Sequence, residues 1–282
     1  MSEATTPEFP TVRVVHRSDW GAWLLSLVCI ALVATIILAG IRAEIMDVGL
    51  FLGYMVSPQI LIGAWNALML GTLATLAAMV VGLIFALMRV SGNPILASIS
   101  ATYVYFFRGT PMLIQLMFWF NAVPIMFDQI VIAIPFTDMV LFQSPTTRVI
   151  TPFVAALAGL SLAEGAYMSE IIRAGLQAVD TGQRSAARAL GMTNRQVLNR
   201  VVVPQAARII LPAAGNQYIM MLKSSSLASA IGYLELLRVA TDIYSSNFRV
   251  VELLAVAAFW YLVMTAFATA LQTGLEKAFP HR

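Results

Sequence analysis

Charge, histidine and cysteine are all scarce in this chain. Of its 282 residues 11% are charged, two are histidine and one is cysteine. The lone Cys29 excludes an intrachain disulfide framework or thiolate metal cluster, and within its apolar run it reads as a small apolar residue of a membrane span. His16 and His281 lie near opposite ends, and neither HExxH nor another metal-binding spacing occurs. No GxxxxGK(S/T) phosphate loop is present, so the chain cannot bind and hydrolyse ATP in that way by itself. The absence of a GxSxG elbow disfavours a membrane-embedded hydrolase. The arginines are dispersed among apolar runs without a contiguous basic face, which makes nucleic acid a poor partner.

What is abundant is apolar sequence. Sixty per cent of residues are hydrophobic and the mean hydropathy is +0.83, outside the range of soluble domains. The length allows about six spans of ~20 residues, and the pattern predicts an all-α polytopic membrane protein. Residues 1–20 are polar and read as a cytoplasmic tail. Trp20 and Trp23 then sit where an interfacial aromatic belt would be, ahead of an uncharged run at 21–41 closed by Arg42, Glu44 and Asp47. The tripeptide LAG at 38–40 resembles a signal cleavage site, but the run exceeds a usual h-region and reads as an uncleaved anchor. A span is predicted over 62–88, ending at Arg89. It carries two small-residue ladders, Ala67, Gly71, Thr75 and Ala78, Gly82, Ala86, suited to close helix approach within the subunit or across a dimer.

After a turn at 91–94, residues 95–107 read as an interfacial helix, broken by Arg108-Gly109-Thr110-Pro111 before the apolar run 112–127. Residues 128–148 are too polar and interrupted to span and are expected as an external loop with a short helix lying on the membrane. Further spans are expected at 150–172, at 213–233 and at 250–274, with an external amphipathic stretch at 234–249. With both termini inside, the cytoplasmic side holds Arg13, Arg17, Arg89, Arg173, Arg184, Arg188, Arg195, Arg200, Arg208, Lys277 and Arg282. That is eleven cations against four outside, Arg42, Arg148, Arg238 and Arg249. Such a bias puts the polar stretch 180–212 in the cytoplasm.

That stretch has its own pattern. Ala186, Ala187 and Ala189 surround Leu190, and Gly191 suits a helix-ending left-handed conformation. Thr193 with Gln196 fits a capping box, and Pro204 and Pro212 each suit a first helical turn. A short alanine-faced helix, a sharp break and a basic returning helix are predicted. Inside the spans lie Glu164, Glu170 and Lys223, costly there unless a cavity or partner receives them. Glu170 and Arg173, three apart, suit a structural or functional ion pair. Glu164 and Lys223 either line a cavity or pair with each other. The hydroxyls of Ser224, Ser225 and Ser226 suit a polar solute or the preceding helical turn.

The segment Ser185-Ala186-Ala187, Gly191 and Leu211-Pro212 resembles the EAA loop of ABC importer permeases, with Ser185 in place of the leading Glu. FFRGTPMLIQ at 106–115, AYMSEIIRAG at 166–175, GQRSAARALG at 182–191, VVVPQAARIILP at 201–212 and KSSSLASAIG at 223–232 look like the successive signatures of polar amino-acid ABC permeases. In that family an acidic residue and Thr more often follow the Lys, where this chain has KSSSL. The resemblance covers residues 62–277 and implies a five-helix type-1 core bearing the coupling loop 180–212. Residues 21–61 would then be an extra helix and external linker, and 278–282 a cytoplasmic C-terminus. It also implies a multi-pass protein of the bacterial inner membrane whose Ser185, Ala186, Ala187, Ala189, Leu190 and Gly191 couple to the ATPase. Its partners would be a second permease chain, two ABC ATPase subunits that hold ATP and Mg, a solute-binding protein and the polar amino acid it delivers. Glu164, Lys223, Ser225 and Ser226 are the expected substrate path. An ATP-independent secondary transporter or channel is the alternative, opposed by the lack of inverted hydropathy repeats.

Overall fold

The computed structural model describes residues 20–42, 46–137 and 139–278. The polar N-terminal segment with Arg13, His16 and Arg17 lies outside them, as do Glu44, Asp138 and the last four residues with His281 and Arg282. The described residues form two units, one ending at Asp47 and one running from Val48. In the first, α1 (Trp20–Arg42) is a single helix on which Trp20 and Trp23 are exposed.

The second unit opens with α2 (Val48–Met55), α3 (Pro58–Val90), α4 (Pro94–Gly109), α5 (Met112–Met117) and α6 (Val123–Met126). Residues 48–61, expected as a linker, thus fold as α2 and the start of α3. α2 is fastened to the rest of the unit by Trp260 Nε1, which donates to the Met55 carbonyl at 3.0 Å. Then come β1 (Gln129–Ala133), β2 (Val140–Pro145), α7 (Thr146–Val149), α8 (Pro152–Gln177), α9 (Thr181–Ala189), α10 (Asn194–Val197), α11 (Val203–Ser224), a 3-10 turn over Ser225–Ile231, α12 (Leu236–Asn247) and α13 (Val250–Ala278). α3, α4 and α8 each start on a proline, where the missing N–H is one that the first turn leaves unpaired anyway.

Glycine and alanine decide which helices touch. α3 and α8 run side by side in the same direction, with Leu70 and Ala74 packed at one end beside Ala155, Ala156 and Leu160. At the other end Ala86 meets Met168 and Ile172. All six ladder residues of α3 are buried inside the subunit, so the small-residue faces are filled by this chain itself. A Cβ on Gly82 would come within 2.7 Å of Met168 Cβ and 2.9 Å of the Ser169 backbone nitrogen. One on Gly71 would meet Leu222 of α11 at 3.0 Å. α11 runs opposite to α3, and α13 closes the bundle through Leu253, Val256 and Ala257.

Among the described residues, α3 and residues Val250–Gly274 of α13 are long and apolar enough to cross a membrane. The α4 and Met112–Met126 pair would add a third if taken as one span bent by 103°. α8 and α11 are less apolar because they carry Glu164, Gln217 and Lys223, and both pack on α3.

Two expectations change. Residues 128–148, expected as a loop with a short helix, form an antiparallel hairpin of β1 and β2 followed by the one-turn α7. The β-branched and aromatic content of QIVIA and VLFQSP explains the strands. Pro212 lies inside α11 and does not start a helix. The chain is helical from Asn194 to Ser224, through a π turn at Leu198–Val202. That turn closes at Val203, just before Pro204, and a second π turn at Phe118–Ala122 closes at Val123, just before Pro124. A wider turn there relieves the clash of a proline ring with the carbonyl four residues back.

Gly82→Ala should therefore lower thermal stability by about 1–3 kcal/mol, because Met168 and a backbone nitrogen block the new methyl. Gly53→Ala, where a Cβ meets nothing within 4 Å, should not lower it. Equal melting temperatures for Gly82→Ala and the parent chain would refute the close packing.

Candidate functional site

The stretch joining α8 to α11 is built as a fastened corner. Asp180 caps α9, its Oδ1 accepting from the Gly182 amide at 2.5 Å. At the other end Gly191 adopts φ +79°. Its amide donates to the Arg188 carbonyl at 2.9 Å, and the Met192 amide donates to the Ala187 carbonyl at 3.2 Å. This pair of bonds is a Schellman ending, and it needs a residue that tolerates the left-handed region. No atom lies within 4 Å of a Cβ built on Gly191, so the demand is conformational and not steric. Thr193 and Gln196 complete the expected capping box: Gln196 Oε1 accepts from the Thr193 amide at 2.8 Å, and Thr193 Oγ1 from the Gln196 amide at 3.4 Å.

The six expected coupling residues do not share one face. Ala187 is 4% exposed and packs with Val179, Val197, Val202 and Ala206. Ser185, Ala186, Ala189 and Gly191 are exposed, and Leu190 is 81% exposed. Arg184 fastens α9 to α8 by donating from Nη2 to the Leu176 carbonyl, where a cation also meets the negative end of the helix dipole. A cleft of about 500 Å³ opens beside this corner, lined by Leu87 and Val90 of α3, Gln177, Arg184, Arg188 and Asn194.

Within the bundle, Glu164 is 3% exposed. Gln217 of α11 hydrogen-bonds its carboxyl group, while Oε1 has no partner. Ser161 Oγ and Ser169 Oγ on the same helix are also buried without a partner. Ser161 stands one turn before Glu164, whereas Ser169, five residues after it, faces another side of α8. Glu164 and Lys223 are not brought together. The ion pairs among the described residues are Glu170–Arg173, Arg238–Asp242 and Arg249–Glu252. Lys223 is exposed and lies six residues, about 9 Å along the helix, beyond Gln217. Glu170 and Arg173 do pair, at 2.7 Å. Arg173 Nε also donates to Glu170, and its Nη1 donates to Gln177 at 2.6 Å.

Ser225 and Ser226 donate to the preceding turn, to the carbonyls of Leu222 and Lys223, each at 2.8 Å. Buried Ser225 lies beside Tyr261 of α13. Tyr261 in turn donates to Glu235 Oε2 at 2.5 Å. Glu235, fully buried, caps α12 by accepting from the Leu237 and Arg238 amides at 3.0 and 2.8 Å. This clamp, which ties the 3-10 turn to α12 and α13, escaped the sequence reading. A Glu directly before an amphipathic run and just after Gly232-Tyr233 was its only local signal. Burial pushes the Glu235 carboxyl up to about 7, against the opposing effect of its hydrogen bonds from Tyr261 and the two amides. No group of three His, Cys, Asp or Glu that could hold a metal occurs among the described residues.

The family described as binding-protein-dependent transport system inner membrane component matches residues 78–279. The arginine transport system permease protein ArgU of Corynebacterium glutamicum is 38% identical over 260 residues, which cover 92% of this chain and 80% of that protein. The glutamine transport system permease protein GlnP of Escherichia coli K12 is 30% identical over 220 residues, 78% of this chain and 92% of that protein. A crystal structure of an amino acid ABC transporter with histidines has a TM-score of 0.70 at 35% identity, covering 83% of this chain and 99% of that one. The MetNI methionine ABC transporter shares the fold, with a TM-score of 0.59 at 18% identity over 79% of this chain and 96% of that one.

Glu235 lies in the turn before α12, and its folded pKa of about 7 exceeds the ordinary 4.5. The folded chain holds that proton more tightly, so stability is full below the ordinary value, declines as pH rises toward 7, and is level above it. The melting temperature should thus fall between about pH 5 and pH 8 in the parent chain, and Glu235→Gln should remove that fall. Identical slopes in both proteins would contradict the assignment.

Proposed function

Because this chain belongs to the binding-protein-dependent transport system inner membrane components, we propose that it forms the membrane path of an ATP-driven importer for polar amino acids or related solutes. The observation that carries this reading is the fastened corner at α9, which turns Leu190 and Ala186 outward while Ala187 anchors the helix to its own chain. Relatives named for arginine and glutamine transport support the substrate class. The ATPase, with its ATP and Mg, is a separate subunit that docks on the exposed face of α9. A second permease chain and a solute-binding protein complete the assembly. The chain crosses the bacterial inner membrane several times with both termini and α9 in the cytoplasm. Residues 62–277 form the type-1 core, preceded by a tail, an extra helix at 21–41 and the short helix α2.

The solute path runs beside α8 and α11. Glu164, with the unpartnered hydroxyl of Ser161 one turn before it, supplies its polar lining, and Gln217 completes it. Lys223 stands at the hairpin end of the same helix pair. Ser225 and Ser226 shape the turn that follows Lys223, since their hydroxyls are already engaged by backbone. The pair Glu170–Arg173 holds the last turns of α8.

Purified with its ATPase and reconstituted with its binding protein, the chain should take up a polar amino acid only when ATP is present. Uptake without ATP would favour a secondary transporter. Leu190→Asp, which alters an exposed residue, should cut solute-stimulated ATP hydrolysis at least about tenfold with the permease still folded, as loss of one interface anchor does. Ser185→Ala should change it little. Normal coupling in Leu190→Asp would remove the docking assignment.

A further inference from the structure

Three arginines converge where α3, α4 and α8 reach the α9 side of the bundle. Arg89 is the penultimate residue of α3, Arg108 the penultimate residue of α4, and Arg173 lies one turn before the end of α8. Arg173 is consumed locally: Nε and Nη2 go to Glu170 and Nη1 to Gln177. Glu170 is the carboxylate that all three arginines feel, and it is bonded to Arg173, so the cluster keeps an excess of positive charge at Arg89 and Arg108. Arg89 gives one N–H to the Ala97 carbonyl at 2.8 Å, and Arg108 Cζ stands over the Tyr167 ring, 5.0 Å from its centre. Neither has a carboxylate within 4.0 Å among the described residues. A guanidinium carries five donors, so both have N–H groups to spare.

These two cations bound one opening of about 490 Å³, lined also by Tyr105, Tyr167 and Glu170. Its surroundings are those of a membrane boundary. Tyr105 is 83% exposed, and Phe106, Ile95 and Ile99 are exposed on the same helix. The spanning helix α3 ends there, and the polar corner begins at the end of α8 beside it. This excess of positive charge with free forked donors calls for an anion, and forked guanidinium groups match phosphate geometry. The flanking aromatic and aliphatic surface calls for acyl chains beside it.

We propose that the opening between Arg89 and Arg108 holds the headgroup phosphate of an anionic phospholipid in the leaflet on the α9 side. The lipid bridges α3 and α4, with its chains along the exposed apolar face of α4. It therefore holds α4 against α3 and α8, the second of which leads into the corner at α9.

The permease, purified with its ATPase, is examined by native mass spectrometry against phosphatidylglycerol and phosphatidylcholine of the same acyl chains. Phosphatidylglycerol should be retained in preference. Arg89→Gln and Arg108→Gln should each reduce that preference about fivefold, and the double variant should abolish it. Arg108→Lys, which keeps the charge but loses the fork, should retain more of it than Arg108→Gln does, and Arg195→Gln on the exposed corner should leave it unchanged. If Arg108→Gln does not fold, Arg89→Gln against Arg108→Lys decides the matter. An undiminished preference in the glutamine variants would overturn the proposal. Release of the lipid by inorganic phosphate would assign a soluble-anion site, and release by L-glutamine or L-arginine a solute site. Either release would overturn it too.

Discussion

Hydrocarbon solvates a leucine as well as a neighbouring helix does, so apolar burial alone gives membrane helices no reason to associate. What holds them is close backbone approach, and this bundle is organised around it. The ladder from Ala67 to Ala86 lets α3 lie against α8 and α11 at distances that leave no space for a methyl at Gly82. Gly165 and Gly175 repeat the device from the α8 side, against Val81 and Ile210. Once α3 sits in this groove, Glu164 of α8 is held inside the bundle, where Gln217 of α11 meets it. The cost of a carboxyl group at such depth is tolerable only in a polar lining.

The same packing determines how the corner at α9 connects to the interior. Its apolar cluster contains Leu176 of α8, Ala206 and Ile210 of α11, and Ala187 of α9 itself. Displacement of α9 is therefore carried into both helices that bear the polar groups, through buried contacts and the Arg184 bond to the end of α8. A Schellman ending spans Leu190 and a capping box follows it at Thr193, so the break is hydrogen-bonded throughout.

Much of this was legible in sequence because local chemistry decides it. Gly191 needs φ above zero, Thr193 and Gln196 form a reciprocal cap, and the small-residue spacing marks a packing face. Whether that face met this chain or a second copy was not legible, since spacing names no partner. Pro212 misled because a proline inside an apolar helix reads as a boundary, whereas packing on the neighbouring α13, through Gln272 donating to the Pro212 carbonyl at 3.3 Å, keeps the helix whole. Glu164 and Lys223 looked complementary by sign alone, and the helix rise separates them. Ala187 looked like its neighbours, and only the fold turns it inward. Glu235 and Tyr261, 26 residues apart, make a contact that no local pattern announces.

The central claim is that α9 has an inner face bound to its own chain and an outer face offered to the ATPase. Cysteine accessibility tests it most directly, in a Cys29→Ser background carrying Ala186→Cys, Ala187→Cys or Leu190→Cys. With the permease alone, a membrane-impermeant maleimide should label positions 186 and 190 rapidly and position 187 slowly. Addition of the ATPase should protect 186 and 190 and leave 187 unchanged. Rapid labelling at 187, or no protection at 190, would contradict the account.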